Sequence, residues 1–375
     1  MSGINRRRWL QRSLAALTGA GLTHPVMARA QSINWPSWLE EEEVSSSVIR
    51  IGQNENPYGP SPRVLKAMQD ALTSSNRYPG DAAQDLKEAI ANQYGLSADY
   101  VLLGAGSSEL LGNTAAIAAL QQGNVVTADP TFRLWFGTAE LFGLSIKKVP
   151  LTSGKVHDLE AMLAAVDDQT RMVYVVNPHN PTGTVLSDKD LRRFADAVTS
   201  KSILLMDEAY TEYCEAETLA PMVRETKNLV VAKTFSKIHA LAGARVGFAL
   251  AHPEIIKKLS AWQPWANAGP SAVSLAAARA ALTDIDFMKA SKNKTAEVRR
   301  YVTESLRSIG YTVIPSSTSF IYYDVTPFRG DLSQSLQKAN ITGVRIFEAN
   351  TGWRRTSLGT MEEMEAFLKV VRAGT

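Results

Sequence analysis

Short runs of apolar residues, at 101–103, 125–127, 146–149, 172–176, 203–206 and 229–231, recur through the middle of the chain. Stretches of helical length separate them, among them 107–120 and 187–198. A strand exposed on one face alternates apolar with polar residues. Met172-Val173-Tyr174-Val175-Val176 does not alternate, so it must be covered on both faces. Buried strands interleaved with helices imply βαβ units, hence a mostly parallel sheet with helices on either side. In such sheets ligands sit beyond the carboxyl ends of the strands, and the chemistry is to be sought there. After about residue 248 the pattern changes: a helical stretch at 286–308 leads to β-like runs at 320–323 and 344–347 and a last amphipathic helix at 361–371. The class is α/β, with a large domain at 61–265 and a smaller α+β domain at 266–375, preceded by an arm and Pro-rich loop at 31–60. A length of 375 residues suits two cores.

The densest chemistry lies in Lys233-Thr234-Phe235-Ser236-Lys237, which follows the last run, and in Arg245 beyond it. Small and apolar residues surround Lys237. That predicts partial desolvation, a lowered pKa and an amine able to condense with a carbonyl. Thr234, Ser236 and Arg245 look like a cradle for an anion beside it, and an aldehyde that also carries a phosphate is pyridoxal 5'-phosphate (PLP). Gly104-Ala105-Gly106-Ser107-Ser108 ends a strand and opens a helix, whose free N–H groups favour a phosphate; a plain N-cap by Ser107 fits the same residues. Asn177-Pro178-His179-Asn180-Pro181-Thr182-Gly183 is a rigid turn that sets Asn180 at a strand end. Asp207-Glu208-Ala209-Tyr210 follows the run at 203–206. A carboxylate there can meet a protonated pyridine nitrogen, and Tyr210 can reach the ring's phenolic oxygen; Asp207 also suits the N-cap of a following helix.

Taken together, these motifs resemble fold-type I PLP-dependent enzymes of the class I/II aminotransferase type, closest in look to the histidinol-phosphate aminotransferase branch. The loop at 54–62, Arg77-Tyr78-Pro79, Pro130-Thr131-Phe132 and Arg355-Thr356-Ser357-Leu358-Gly359 add to the likeness, which runs from about residue 48 to the C-terminus. The resemblance implies a large PLP-binding domain and roles for individual residues. Lys237 would carry the Schiff base and move protons, and Asp207 would keep the pyridine nitrogen protonated. Asn180 and Tyr210 would bind the ring oxygen and Phe132 would stack on the ring, although an ordinary core phenylalanine is the plainer reading of Phe132. Thr234, Ser236, Arg245 and the amides of Gly106, Ser107 and Ser108 would hold the phosphate. Tyr78 would reach that phosphate from the neighbouring subunit of a homodimer with shared sites. Arg355 would pair with the substrate carboxylate, while Arg354 beside it faces the other way if the segment is a strand.

The reaction so implied is amino transfer between an L-amino acid or related amine and a 2-oxo acid. Decarboxylation or elimination on the same scaffold stays open, because the motifs hold the cofactor and do not select the bond that breaks. A catalytically idle binding protein would not need this set of lysine, aspartate, asparagine and tyrosine. The histidinol-phosphate branch usually carries a phosphate-binding arginine four residues after a glycine. In Gly343-Val344-Arg345-Ile346-Phe347 that place is held by Phe347, so a non-phosphorylated, partly apolar or aromatic substrate is expected unless Arg345 substitutes.

The first 30 residues read as a signal peptide: Arg6-Arg7-Arg8-Trp9-Leu10, an apolar run, then Ala28-Arg29-Ala30. The arginine pair resembles a twin-arginine signal, which implies a periplasmic protein, or a cytoplasmic one if the leader is not functional. The apolar run is too short to span a membrane, so no stable insertion is expected. Removing the leader's five arginines takes the formal charge from +3 to −2, which leaves no argument for nucleic-acid binding. A single cysteine, Cys214, excludes an internal disulfide, and scattered histidines give no metal site.

Overall fold

The computed structural model describes residues 48–375. The expected leader at 1–30 and nearly all of the arm lie outside the described residues. After a short strand, β1 (Ile49–Arg50), the chain lays down β2 (Val101–Gly104), β3 (Asn124–Asp129), β4 (Ser145–Pro150), β5 (Thr170–Val176), β6 (Ile203–Asp207), β7 (Leu229–Thr234) and β8 (Gly247–Ala251). Strands β2 to β8 form one sheet in the order β2-β8-β7-β6-β5-β3-β4. Only β8 runs against its neighbours, β2 and β7. The mostly parallel, doubly covered sheet is what the apolar runs imply.

Two apolar layers hold the sheet. Val173, Val175, Leu204, Met206 and Val231 point to one, where they meet Leu86 and Ile90 of helix Ala82–Gln93 and Leu191, Phe194 and Val198 of helix Asp188–Thr199. The alternate residues Tyr174, Val176, Leu205, Val230 and Ala232 point to the other, against Leu110, Leu111 and Ala115 of helix Ser107–Ala118. This parity is the period of a strand. Helix Asp188–Thr199 starts where it does because Ser187 Oγ accepts from the Asp190 amide.

The sequence reading ends the sheet at the run 229–231, yet β8 follows it. Gly-Phe-Ala-Leu-Ala contains no β-branched residue, so its strand signal is weak, and its burial between two strands supplies what propensity does not. A second difference concerns 344–347, expected as a β run. There the structure has β9 (Val313–Ile314), β10 (Phe320–Asp324), β11 (Ile341–Thr342) and β12 (Trp353–Ser357), and between the last two only an isolated bridge, Arg345 to Arg355. Gly343 ends β11. Its φ is +104°, and a Cβ there would lie 2.6 Å from the Gly52 Cα, a backbone contact that only glycine tolerates. The segment 344–348 is thereby turned out of the sheet and over the ligand cavity.

The remaining layer packs β9, β10 and β12 against helices Ile285–Ser308 and Met361–Gly374, around Val298, Val302, Tyr323, Phe367 and Leu368. A capping box, Thr360 with Glu363, sets the start of the last helix. β1 pairs in parallel with β11, which ties the entry of the chain to this layer.

Candidate active site

The carboxyl ends of β2, β5, β6 and β7 open on a cavity of about 480 Å³. Ser107, Ser108, Phe132, Asn180, Asp207, Tyr210, Thr234, Ser236, Lys237, Arg245 and Arg355 all line it. Gly106 stands just behind, as the N-cap of helix Ser107–Ala118 with φ +83°. Tyr78 is elsewhere: it is 81% exposed, with its ring 5.0 Å from the half-exposed Trp265.

One end of the cavity is built for an anion. Arg245 donates to Ser108 Oγ at 3.0 Å and to Ser236 Oγ at 3.4 Å, and Thr234 Oγ1 lies 2.9 Å from Ser236 Oγ. A helix N-terminus faces the same point. Here a side chain would be fatal to the geometry: a Cβ on Gly106 would strike the Arg245 guanidinium, and one on Gly247 would lie 2.6 Å from the Ser107 nitrogen. Three hydroxyls, a guanidinium and free amides around a place kept clear of side chains fit the phosphate of PLP.

The other groups fit its ring. Asp207 ends β6 and is 3% exposed. Its Oδ2 accepts from the Tyr174 hydroxyl at 2.9 Å and its Oδ1 from the Ala209 amide at 3.1 Å. Burial raises its pKa to about 6, against these two hydrogen bonds and the nearby Lys237 amine. A cation at the cavity side would complete its environment, as a protonated pyridine nitrogen does. The Tyr210 hydroxyl accepts from Asn54 Nδ2 at 2.9 Å. Asn180 gives its carbonyl oxygen to Arg355 at 2.8 Å, which turns its amide nitrogen toward the remaining space. Phe132 lines the wall and packs against the second apolar layer.

Lys237 is half-buried, and its amine donates to the Gln53 carbonyl at 3.1 Å. Desolvation is the main cause that lowers its pKa to about 8; the Arg355 charge adds to it, while Glu55 and Asp207 oppose. Lys233 behaves in the opposite way. Its side chain points to the far face of β7, 4% exposed, with Nζ 2.9 Å from Glu212 Oε1 and 3.3 Å from Glu208 Oε2. These carboxylates hold its pKa well above the usual lysine value despite burial.

Arg355, on β12, is 6% exposed. It donates to Asn180 and to the Gly52 carbonyl, and its charge lies 5.5 Å from the Phe320 ring centre and 5.0 Å from that of Phe347. Its Nε has no partner, and among the described residues no carboxylate pairs with the guanidinium. A buried cation without a counter-ion is costly, so the site is poised for an anionic group on the substrate. Arg354 faces away and donates to the Thr351 carbonyl. Arg345, Ile346 and Phe347 roof the cavity, and the next residue, Glu348, is held by Lys155 at 2.8 Å and the Tyr322 hydroxyl at 2.6 Å.

Two residues in direct touch with this set escaped the sequence reading. Asn54 lies in the loop at 54–62, which counted there only toward the family likeness, with no role for Asn54 itself. Its left-handed backbone, φ 54°, and hydrogen bonds to Ser357 and Tyr210 make it a positioner, and asparagine is the non-glycine residue most at ease in that conformation. Tyr174 is the one hydroxyl-bearing residue in an otherwise apolar run, a signal that could have marked it.

The sequence pattern of the aminotransferase class I and II family matches residues 46–371. The histidinol-phosphate aminotransferase of Halalkalibacterium halodurans is 35% identical over 326 residues, 86% of this chain and 88% of the relative. The aromatic amino acid aminotransferase of Rhodococcus erythropolis is 38% identical over 323 residues, covering 85% and 88%. The crystal structure of the Sinorhizobium meliloti histidinol-phosphate aminotransferase in complex with pyridoxal-5'-phosphate superposes with a TM-score of 0.78 at 29% identity, covering 87% of this chain and 91% of that one.

The lysine pKa generates a test. Only the free amine attacks an aldehyde, so uptake of PLP by the apoenzyme should quicken with rising pH up to about 8 and then level off. Stopped-flow absorbance measures it. Borohydride reduction should then fix the cofactor to the peptide holding Lys237; label on the Lys233 side chain, or a rate still rising near pH 10, would exclude this assignment.

Proposed function

The chain belongs to the aminotransferase class I and II family, and on that premise we propose that its amino donor is histidinol phosphate or a close analogue, an imidazole-bearing amine with a phosphate monoester as its head group. The protein is a PLP-dependent aminotransferase. The observation that carries the donor assignment is that two guanidiniums, Arg345 and Arg355, face one cavity; burial lowers the pKa of Arg355, and the nearby charge of Arg345 adds to that. Two fixed positive charges suit a dianion better than a carboxylate. Relatives that carry the histidinol-phosphate name support the same reading.

Phe347 favours a second reading. It stands where an arginine is expected and lays its ring against Arg355, and a relative named for aromatic amino acids is 38% identical. On that reading the donor is an aromatic amino acid whose carboxylate takes Arg355 alone.

When bound, PLP supplies an electron sink that makes the donor's Cα–H acidic. In the proposed assignment the residues of the chain do the rest. Thr234, Ser236, Arg245 and the amides at Ser107 and Ser108 hold the phosphate, Asp207 holds the ring nitrogen, and Tyr210 and Asn180 bind the ring oxygen. Phe132 covers a ring face. Arg355 fixes the donor's anionic head, so that the Cα–H is presented to Lys237. The Lys237 amine, its pKa lowered to about 8, would take the proton from Cα at neutral pH and deliver it to the former carbonyl carbon of the cofactor, so that the amino group stays there.

Two further proposals concern assembly and location. The exposed Tyr78–Trp265 pair supports a homodimer in which Tyr78 serves the partner's phosphate cradle. The arginine pair of the leader supports export through a twin-arginine route, which carries folded proteins and so suits an enzyme that takes up its cofactor before leaving the cytoplasm.

Steady-state kinetics should give histidinol phosphate a higher kcat/KM than phenylalanine or leucine, and Arg345→Ala should lower it by roughly 10- to 100-fold, the worth of a charged hydrogen bond, with little change for phenylalanine. The reverse ranking would establish the aromatic reading. Mixing Lys237→Ala with Tyr78→Ala subunits should restore activity lost by each, since one site of the hybrid is then whole; no recovery in a verified hybrid refutes shared sites. Arg6→Lys with Arg7→Lys should leave the protein in the cytoplasm with its leader uncleaved, and unchanged processing would rule out this route.

A further inference from the structure

Behind Asp207, on the side away from the cavity, the sheet buries a phenol. Tyr174 has no exposed surface, and its hydroxyl donates to Asp207 Oδ2 at 2.9 Å. Strand register brings them together: Val176 of β5 lies level with Asp207 of β6, and Tyr174, two residues earlier, shares their face. The ring cannot swing away, because Trp135, itself buried, packs edge-on against it at 4.9 Å. The Ala209 amide holds the other carboxylate oxygen at 3.1 Å. Asp207 is therefore gripped from two directions before any ligand arrives, and one of the two grips is a side chain for which the mechanism above has no use.

We propose that Tyr174 is a positioning residue for the cofactor, one that fixes the plane of the Asp207 carboxylate and keeps the shared proton on the pyridine nitrogen instead of on Asp207. A hydrogen bond donated to a carboxylate stabilises the anion more than the acid, so it makes the carboxylate a weaker base. Asp207 needs this. Burial pushes its pKa up to about 6 and the neighbouring Glu208 charge pushes the same way, while Lys237 pulls it down. That range is close to the basicity of a pyridine nitrogen, so the resting place of the proton is finely balanced. Without the phenol the proton drifts to the carboxylate and the ring loses the positive charge that draws electrons from Cα. The inference rests on the PLP chemistry of the family and holds whichever donor the enzyme uses.

The test takes Tyr174→Phe, which keeps the ring and removes only the donor. In holoenzyme reconstituted with PLP labelled with nitrogen-15 in the ring, the ring resonance should move toward the unprotonated position. The PLP dissociation constant should rise, and kcat should fall roughly 10- to 100-fold. In an Asp207→Asn background the same change should add almost nothing, because the phenol acts through the carboxylate. An unmoved nitrogen resonance, or full additivity of the two substitutions, overturns the proposal. Should Tyr174→Phe fail to fold, 3-fluorotyrosine at position 174 gives a stronger donor of nearly the same shape. It should move the resonance toward the protonated position, and no movement again overturns the proposal.

Discussion

Parallel register between β5, β6 and β7 is the constraint on which the site depends. Asp207 is level with Val176 on one side and Ala232 on the other. Because side chains alternate, Tyr174 and Asp207 point to one face, while Glu208 and Lys233 point to the opposite one. A slip of one residue in β6 would send Asp207 into the far layer and bring Glu208 to the phenol. The unbroken apolar packing on both faces is what forbids that slip: Met206 and Leu205 each fill a different layer.

On this rigid edge the site keeps electrostatics that are unfavourable until a ligand arrives. Arg355 is buried without a counter-ion among the described residues, Lys237 is desolvated, and Asp207 is buried. Perturbed groups gathered in one cavity mark a functional site. In the proposed assignment the phosphate would neutralise Arg245, the pyridinium would complete Asp207, and the anionic head of the donor would satisfy Arg355. Aromatic rings at Phe320 and Phe347 let the guanidinium wait in a low-water environment without an acid beside it.

Much of this was legible in the sequence, and the reasons are local. The apolar runs without alternation reveal strands buried on both faces, and the turn residues after them place Asn180, Asp207 and Lys237 at the carboxyl ends. What escaped needed contacts between distant segments. Asn54 meets Tyr210 and Ser357 across more than 150 positions, and no pattern within its own loop encodes that. Strand β8 is made of small residues whose burial, not propensity, makes them extended. The run at 344–347 was read as a strand because Val-Arg-Ile-Phe suits one, but the close approach of Gly343 to Gly52 overrides that preference.

Lys233 and Lys237 stand four positions apart, but only Lys237 lines the cavity; the Lys233 side chain points to the far face of β7. Glu208 and Glu212 clamp the first in its charged form, whereas desolvation brings the second down to about 8. At pH 7 about one Lys237 amine in ten is then free to react, and Lys233 has almost none. Strand alternation and the buried ion cluster act together: the first turns the Lys233 amine to the opposite face of the sheet, and the second keeps it charged, so the two amines differ in both reach and reactivity. Weakening that cluster would leave a buried ammonium without its counter-charges on the face of the sheet that supports the site.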